Sequence, residues 1–272
     1  MRKIKWGVMG TAFICERSTF PGMLQAENCE MYAIAGRNME KAELIEKIKG
    51  GLIVSCQALE QEPMYSDKGG VMPLFAKAAY QAGAVGIRAN TVRDIQEIKA
   101  VVDLPIIGII KKDYPDSPQY ITATMAEIDA LAKCQCDIVA FDCTNRVRAD
   151  HRTLEAFIHD IKEKYPNMVL MADIATYEEG KRAYELGVDF VGTTLCGYTQ
   201  ESKDAPVPDY TLISKLSALG IPVIGEGHVD TPDKAVKVLK AGALCVVVGS
   251  AITRPYEIAK QFVEELKRKE NL

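Results

Sequence analysis

From residue 52 onward the chain repeats one pattern eight times, and this repetition constrains the fold more than any other feature. Short runs of β-branched and other apolar residues fall at 52–56, 84–89, 105–110, 137–141, 168–172, 188–193, 221–224 and 244–248. Between them lie stretches with helical spacing of apolar residues, among them 92–101, 155–164, 177–186, 232–241 and 255–269. Runs this continuously apolar suit parallel strands covered on both faces, because a strand with one wet face alternates polar and apolar residues. Eight strand–helix units in about 225 residues match the arithmetic of an α/β chain folded as a (β/α)8 TIM barrel. The rival is an open doubly wound sheet, which usually needs fewer strands and opens on a glycine-rich turn. The expectation is therefore a barrel over residues 46–272, preceded by a short βαβ-like extension over residues 1–45.

A barrel gathers the carboxyl ends of its strands at one mouth, where chemistry is sited. Here those ends carry Gln57, Arg88, Lys111, Asp142, Asp173, Thr193 with Thr194, Glu226 and Gly249, in strand order. One polar residue after a strand is ordinary turn chemistry; lysine, arginine, aspartate and glutamate from different strands are harder to dismiss. Asp142 is the weakest of the set, since Asp142-Cys-Thr-Asn also reads as the opening of a loop. A lysine at the end of an apolar strand loses hydration, which lowers its pKa and frees the amine to act as a base. Lys111 and Glu226 thus form a candidate acid–base pair, and a structural ion pair across the barrel is the competing account of the same two residues. The loops after the last two strands, 225–232 and 249–255, have the glycines and the arginine of a phosphate site. Gly249 and Ser250 permit close approach of the backbone, and Arg254 can add a charge-assisted bond. Plain helix capping explains Thr231-Pro232 and Arg254-Pro255 equally well.

Composition removes several classes of function. With 48% hydrophobic residues and a net charge of −4, the chain is not disordered as a whole. Its apolar runs fall far short of the roughly 18 residues of a membrane span, and no cluster of lysine and arginine marks a nucleic-acid face. Arg2, Lys3 and Lys5 before a short apolar stretch superficially suggest a leader, but Gly7, Gly10, Glu16 and Arg17 and the lack of a small-x-small cleavage site argue against one. The eight cysteines include one close pair, Cys134 and Cys136, and no disulfide-like or metal-binding frame. The three histidines share no ligand spacing. A cytoplasmic protein without metal or other cofactor is expected.

The opening residues have their own signature. Residues 3–10 read as a strand and turn, 13–25 as a helix interrupted by Pro21, and 30–35 as a second strand. Gly10-x-Ala12-x-x-Cys15 is a degraded dinucleotide fingerprint, with Arg37 where a ribose contact would fall. In Lys5-Trp-Gly-Val-Met-Gly-Thr-Ala12 and Tyr32-Ala-Ile-Ala-Gly-Arg37 this segment resembles the start of the glucose–fructose oxidoreductase and inositol dehydrogenase family. The likeness covers about 45 residues, whereas a dinucleotide domain needs two such halves. A non-functional Rossmann-like fragment is expected rather than a nicotinamide-dependent oxidoreductase.

The remainder, from about Leu44 to Leu272, resembles the N-acetylmannosamine-6-phosphate 2-epimerase family. The matching stretches are Gly51-Leu-Ile-Val-Ser-Cys-Gln-Ala-Leu59, Ile87-Arg-Ala89, Leu104-Pro-Ile-Ile-Gly-Ile-Ile-Lys111, Met171-Ala-Asp-Ile174, Thr193-Thr-Leu-Cys-Gly-Tyr-Thr199 and Val248-Gly-Ser-Ala-Ile-Thr-Arg-Pro255. The resemblance implies a metal-independent, phosphate-binding TIM barrel that interconverts N-acetylmannosamine 6-phosphate and N-acetylglucosamine 6-phosphate in sialic-acid catabolism. It implies Lys111 and Glu226 as catalytic residues and Gln57, Arg88 and Asp173 as sugar contacts. Gly227, Gly249, Ser250 and Arg254 then fall in the phosphate loop. One departure matters: His228 stands where the family usually has arginine, and would be a weaker, pH-dependent phosphate ligand. The expected partner is a small phosphosugar, with neither nucleic acid nor membrane; a homodimer stays open as the assembly. The alternatives are another phosphosugar isomerase or lyase on the same barrel, or a non-catalytic phosphosugar sensor.

Overall fold

The computed structural model describes residues 4–9, 29–35 and 39–270, which fall into two compact units, Met1–Lys47 and Ile48–Leu272. In the first, β1 (Ile4–Met9) and β2 (Cys29–Ala35) pair in parallel, with a register irregularity between Trp6 and Gly7. Helix α1 (Met39–Ile48) follows. The helix expected over 13–25, the fingerprint at Gly10–Cys15 and Arg37 lie outside the described residues.

In the second unit every apolar run becomes a strand: β3 (Leu52–Cys56), then α2 (Met72–Gln81) and β4 (Gly86–Asn90), α3 (Val92–Lys99) and β5 (Ile106–Ile109). The series continues through α4 (Met125–Cys134), β6 (Ile138–Asp142), α5 (Leu154–Lys164), β7 (Leu170–Asp173), α6 (Tyr177–Glu185) and β8 (Phe190–Gly192). It ends with α7 (Tyr210–Ser217), β9 (Val223–Gly225), α8 (Pro232–Lys240), β10 (Cys245–Val248), the short α9 (Ser250–Thr253) and α10 (Pro255–Glu270). All eight strands pair in parallel, and β10 returns to β3, closing the barrel in the order β10-β3-β4-β5-β6-β7-β8-β9. Several strands start one or two residues later than the apolar runs, because the first residues of a run belong to the turn leaving the preceding helix.

Turn chemistry starts six of the barrel helices, while α2 and α9 begin without a side-chain cap, α2 with Pro73 in its first turn. Thr124 and Thr176 form capping boxes with Glu127 and Glu179, while Thr91, Thr153, Asp209 and Thr231 accept backbone N–H groups at the starts of α3, α5, α7 and α8. Such caps typically contribute about 1 kcal/mol each. The inner faces of the helices then cover the strands, as with Ile95 and Ile98 of α3 and Phe157 and Ile161 of α5, all fully buried. Phe141 of β6 meets Phe157 edge to face, with ring centroids 5.5 Å apart. Each such side chain contributes roughly 1.5–3 kcal/mol on leaving water. No described helix is long and apolar enough to cross a membrane.

Candidate active site

The largest fully buried side chain of the barrel is a cation, Arg88, only 1% exposed on β4. A buried guanidinium is stable only if paired and hydrogen-bonded, and the partners come from across the barrel. Nη1 and Nη2 donate to the two oxygens of Asp173, at the end of β7, at 3.1 and 2.6 Å, and Nη1 also donates to Glu226 Oε2 at 2.7 Å. Burial pushes the Arg88 pKa down, but the two carboxylates outweigh it and hold the guanidinium above its ordinary value. Thr194, just past β8, donates to Asp173 Oδ1 at 2.6 Å and lies 3.2 Å from Glu226 Oε2.

Glu226 follows β9, and its backbone is clamped by the Thr193 hydroxyl, which donates to the Glu226 carbonyl and accepts its N–H, at 2.8 and 3.1 Å. Burial raises the Glu226 pKa, opposed by Arg88 and reinforced by Asp173. The next residue must be glycine: Gly227 has φ +95°, and a Cβ there would stand 3.3 Å from the Thr193 carbonyl oxygen.

Lys111 lies two residues beyond β5, in an isolated antiparallel bridge with Ile121, and its N–H donates to the Asn90 side chain at 2.8 Å. The ammonium sits 5.7 Å from the centre of the Tyr120 ring. Burial, followed by the nearby Arg88 and Arg254 cations, lowers its pKa to about 8, against the pull of Glu226 and Asp173. The ion pair weighed against acid–base function forms differently: Glu226 pairs with Arg88.

Gln57, Arg88, Lys111, Glu226, Gly227, His228, Gly249, Ser250 and Arg254 all line one cleft of about 440 Å³ at the carboxyl ends of the strands. Asp173 does not: it is fully buried beneath that surface, with its oxygens engaged by Arg88 and Thr194. In this arrangement Asp173 holds Arg88 across the barrel. His228 lines the cleft beside Gly227, and its buried Nε2 has no hydrogen-bond partner. Its ring stacks on Tyr198 with centroids 4.5 Å apart, and burial together with Lys234 lowers its pKa. Together with Tyr198 it forms an aromatic wall of the cleft. Asp142 proves to be the loop former that its sequence context suggests, closed by Thr144 and Arg146. Sequence reasoning passed over Tyr120, Asn90 and Glu62; Tyr120 and Glu62 line the cleft but sit within loops, away from the strand ends where the search was made.

Other candidate chemistry falls elsewhere. Burial raises the Cys136 thiol to about 12 and that of Cys196 to about 11, so neither is a ready nucleophile. Among the described residues, His159, Asp160 and Glu163 of α5 are close enough to share a cation, but none lines the cleft.

Proton-transfer groups gathered at the carboxyl-end mouth of a closed parallel barrel place the chain among the TIM-barrel enzymes. Residues 72–268 match the family model described as NanE, "Putative N-acetylmannosamine-6-phosphate epimerase". A relative from Caldanaerobacter subterraneus named for the 2-epimerase is 49% identical over 228 residues, covering 84% of this chain and 95% of the relative. Another, from Clostridioides difficile, is 50% identical over 225 residues, covering 82% and 99%. The solved N-acetylmannosamine-6-phosphate 2-epimerase from Clostridium perfringens superposes with a TM-score of 0.76 at 47% identity, over 81% of this chain and 95% of that one. The chain belongs to the N-acetylmannosamine-6-phosphate epimerase family. A thiamine phosphate pyrophosphorylase from Pyrococcus furiosus, at 18% identity and a TM-score of 0.53 over 80% of this chain and 93% of that one, shares the fold alone.

Proposed function

We propose that this chain interconverts N-acetylmannosamine 6-phosphate and N-acetylglucosamine 6-phosphate by removing and returning the proton on C2. The observation that carries the reading is Lys111, a desolvated amine with its pKa lowered to about 8, within electrostatic reach of Glu226 in one cleft. In the open-chain sugar the C2 hydrogen is α to the aldehyde carbonyl, so its loss leaves a resonance-stabilised enolate. One of Lys111 and Glu226 takes that proton, and the other delivers a proton to the opposite face. Such acid–base groups typically contribute about 10²–10⁴-fold in rate. Arg88 and Gln57 face the developing oxyanion and the sugar hydroxyls. Three buried atoms of cleft residues without a protein partner, Arg88 Nε, Gln57 Oε1 and His228 Nε2, support a polar ligand there, with the arginine offering a donor and the glutamine an acceptor. Asp173 fixes the guanidinium rather than touching the sugar. Arg254 and the backbone at Gly227, Gly249 and Ser250 receive the phosphate, with His228 and Tyr198 as a stacked wall.

The retained Lys111–Glu226 pair favours catalysis over sensing, since a sensor needs no proton-transfer groups. Three further readings complete the proposal. The first 45 residues are a fragment without a cofactor role, because one Rossmann-like half does not make a dinucleotide site. Scattered thiols without a disulfide frame support a cytoplasmic setting. Exposed Phe262, Val263 and Leu266 on α10 support a homodimer.

The test is a proton NMR time course in D₂O with purified protein and N-acetylmannosamine 6-phosphate. The expected result is loss of the C2 proton signal together with new N-acetylglucosamine 6-phosphate resonances. An unchanged spectrum from folded protein would overturn the assignment.

A further inference from the structure

Arg254 lines the cleft from the junction between two helices. It separates the four-residue α9 from Pro255 at the start of α10, and its side chain is about one-third exposed. Its anchor comes from the other side of the barrel's closure. Glu62, on the loop after β3, places Oε1 2.7 Å from Arg254 Nη2, while its Oε2 accepts the backbone N–H of Leu59 at 2.9 Å. The loop is itself tightly turned, with the Glu62 N–H donating to the Leu59 carbonyl at 2.8 Å and the Tyr65 N–H to the Glu62 carbonyl at 2.9 Å. One oxygen thus fastens Glu62 to a rigid turn, and the other is presented to the arginine. Both residues line the cleft.

We infer that Glu62 is a positioning residue that holds the Arg254 guanidinium in place to receive the substrate's phosphate ester. This rests on the epimerase reading only in taking the ligand to be a phosphate. A carboxylate beside a phosphate site also repels the anion, so two effects compete. The pair is partly solvent-exposed, which screens both the attraction within it and the repulsion of an incoming phosphate. Orientation is not screened. A guanidinium already ordered loses less freedom when the ligand arrives, and its fork of five N–H donors keeps an edge for phosphate oxygens while Nη2 holds Glu62. Positioning wins on this balance, and Glu62 improves binding.

The test compares the parent with Glu62→Ala, Glu62→Gln, Arg254→Ala and the Glu62→Ala/Arg254→Ala double variant. Each is assayed for epimerisation by NMR and titrated with inorganic phosphate by calorimetry. Glu62→Ala is expected to raise KM and weaken phosphate binding about three- to tenfold with kcat unchanged, the scale of ordering one long side chain at an interface. Glu62→Gln, whose amide oxygen still accepts from Arg254, should fall between it and the parent. In the Arg254→Ala background, removing Glu62 should add nothing. Tighter phosphate binding by Glu62→Ala, an equal fall in kcat, or an undiminished loss without Arg254 would overturn the inference. So would a parent that binds no phosphate. Failure of the epimerase reading would show separately, as a parent that binds phosphate but leaves the sugar unchanged, and the calorimetry would still decide the role of Glu62.

Discussion

Asp142 and Asp173 end neighbouring strands at the same register, and both are fully buried, yet they belong to different kinds of structure. The Asp142 carboxylate accepts from Thr144 at 2.6 and 2.9 Å and from Arg146 at 2.5 Å, partners two and four residues along the chain. Its carbonyl accepts from Arg148 at 2.7 Å, so the whole clasp closes within seven residues. Asp173 instead takes its cation from Arg88, 85 residues away, which in turn reaches Glu226, 138 residues away. A carboxylate satisfied by its own loop shapes that loop. One satisfied from across the barrel fixes where a functional cation stands, and that cation lines the cleft. The origin of the partners, more than burial or charge, separates the scaffold from the site.

The largest effect that would break this contrast is at Lys111, which answers electrostatically to the across-barrel cluster. Lys111→Ala should lower epimerisation by at least about 10²-fold while leaving the circular dichroism spectrum that of the parent. A fully active variant would remove the lysine from the mechanism.

Next comes the direct comparison of the two aspartates. Asp173→Asn removes one of the two carboxylates facing a buried guanidinium, and breaking a buried pair this way costs about 3–5 kcal/mol. The displaced Arg88 should also cost about 10²-fold in turnover. Asp142→Asn should cost about 1–3 kcal/mol, because Arg146 is partly exposed and can turn to water. Its turnover should stay near the parent's. Urea denaturation and NMR assays of both variants measure the difference, and equal losses of activity would erase the distinction drawn here.

A last test sharpens the electrostatics through pH alone. The folded Lys111 amine is held at about 8 against an ordinary 10.5, so between those values the unfolded chain binds more protons than the folded one. Stability from this residue therefore rises with pH across that interval, and the penalty for burying the charged amine is fully present below it. Urea midpoints on either side of the interval should show the rise in the parent and a smaller one in Lys111→Met.

Much of this protein is legible in its sequence. The eight apolar runs, with threonine or aspartate placed to cap six of the following helices, determine parallel strands and helices in alternation, and a closed barrel follows from their number. The strand-end rule also finds Gln57, Lys111 and Glu226, because a short strand has one carboxyl end and a barrel brings all eight together. Arg88, expected to close its strand, is instead the third residue of β4 and reaches the cleft from within the barrel. The spacing of residues could not separate Asp142 from Asp173, nor show that Glu226 pairs with Arg88 instead of Lys111. Neither could it bring Glu62 to Arg254, 192 positions away in the chain. Local pattern determines which backbone forms, because helix and strand preferences act over a few residues. Charge pairing and desolvation act through space, so only the closed barrel decided which of its buried ionisable groups became scaffold and which became site.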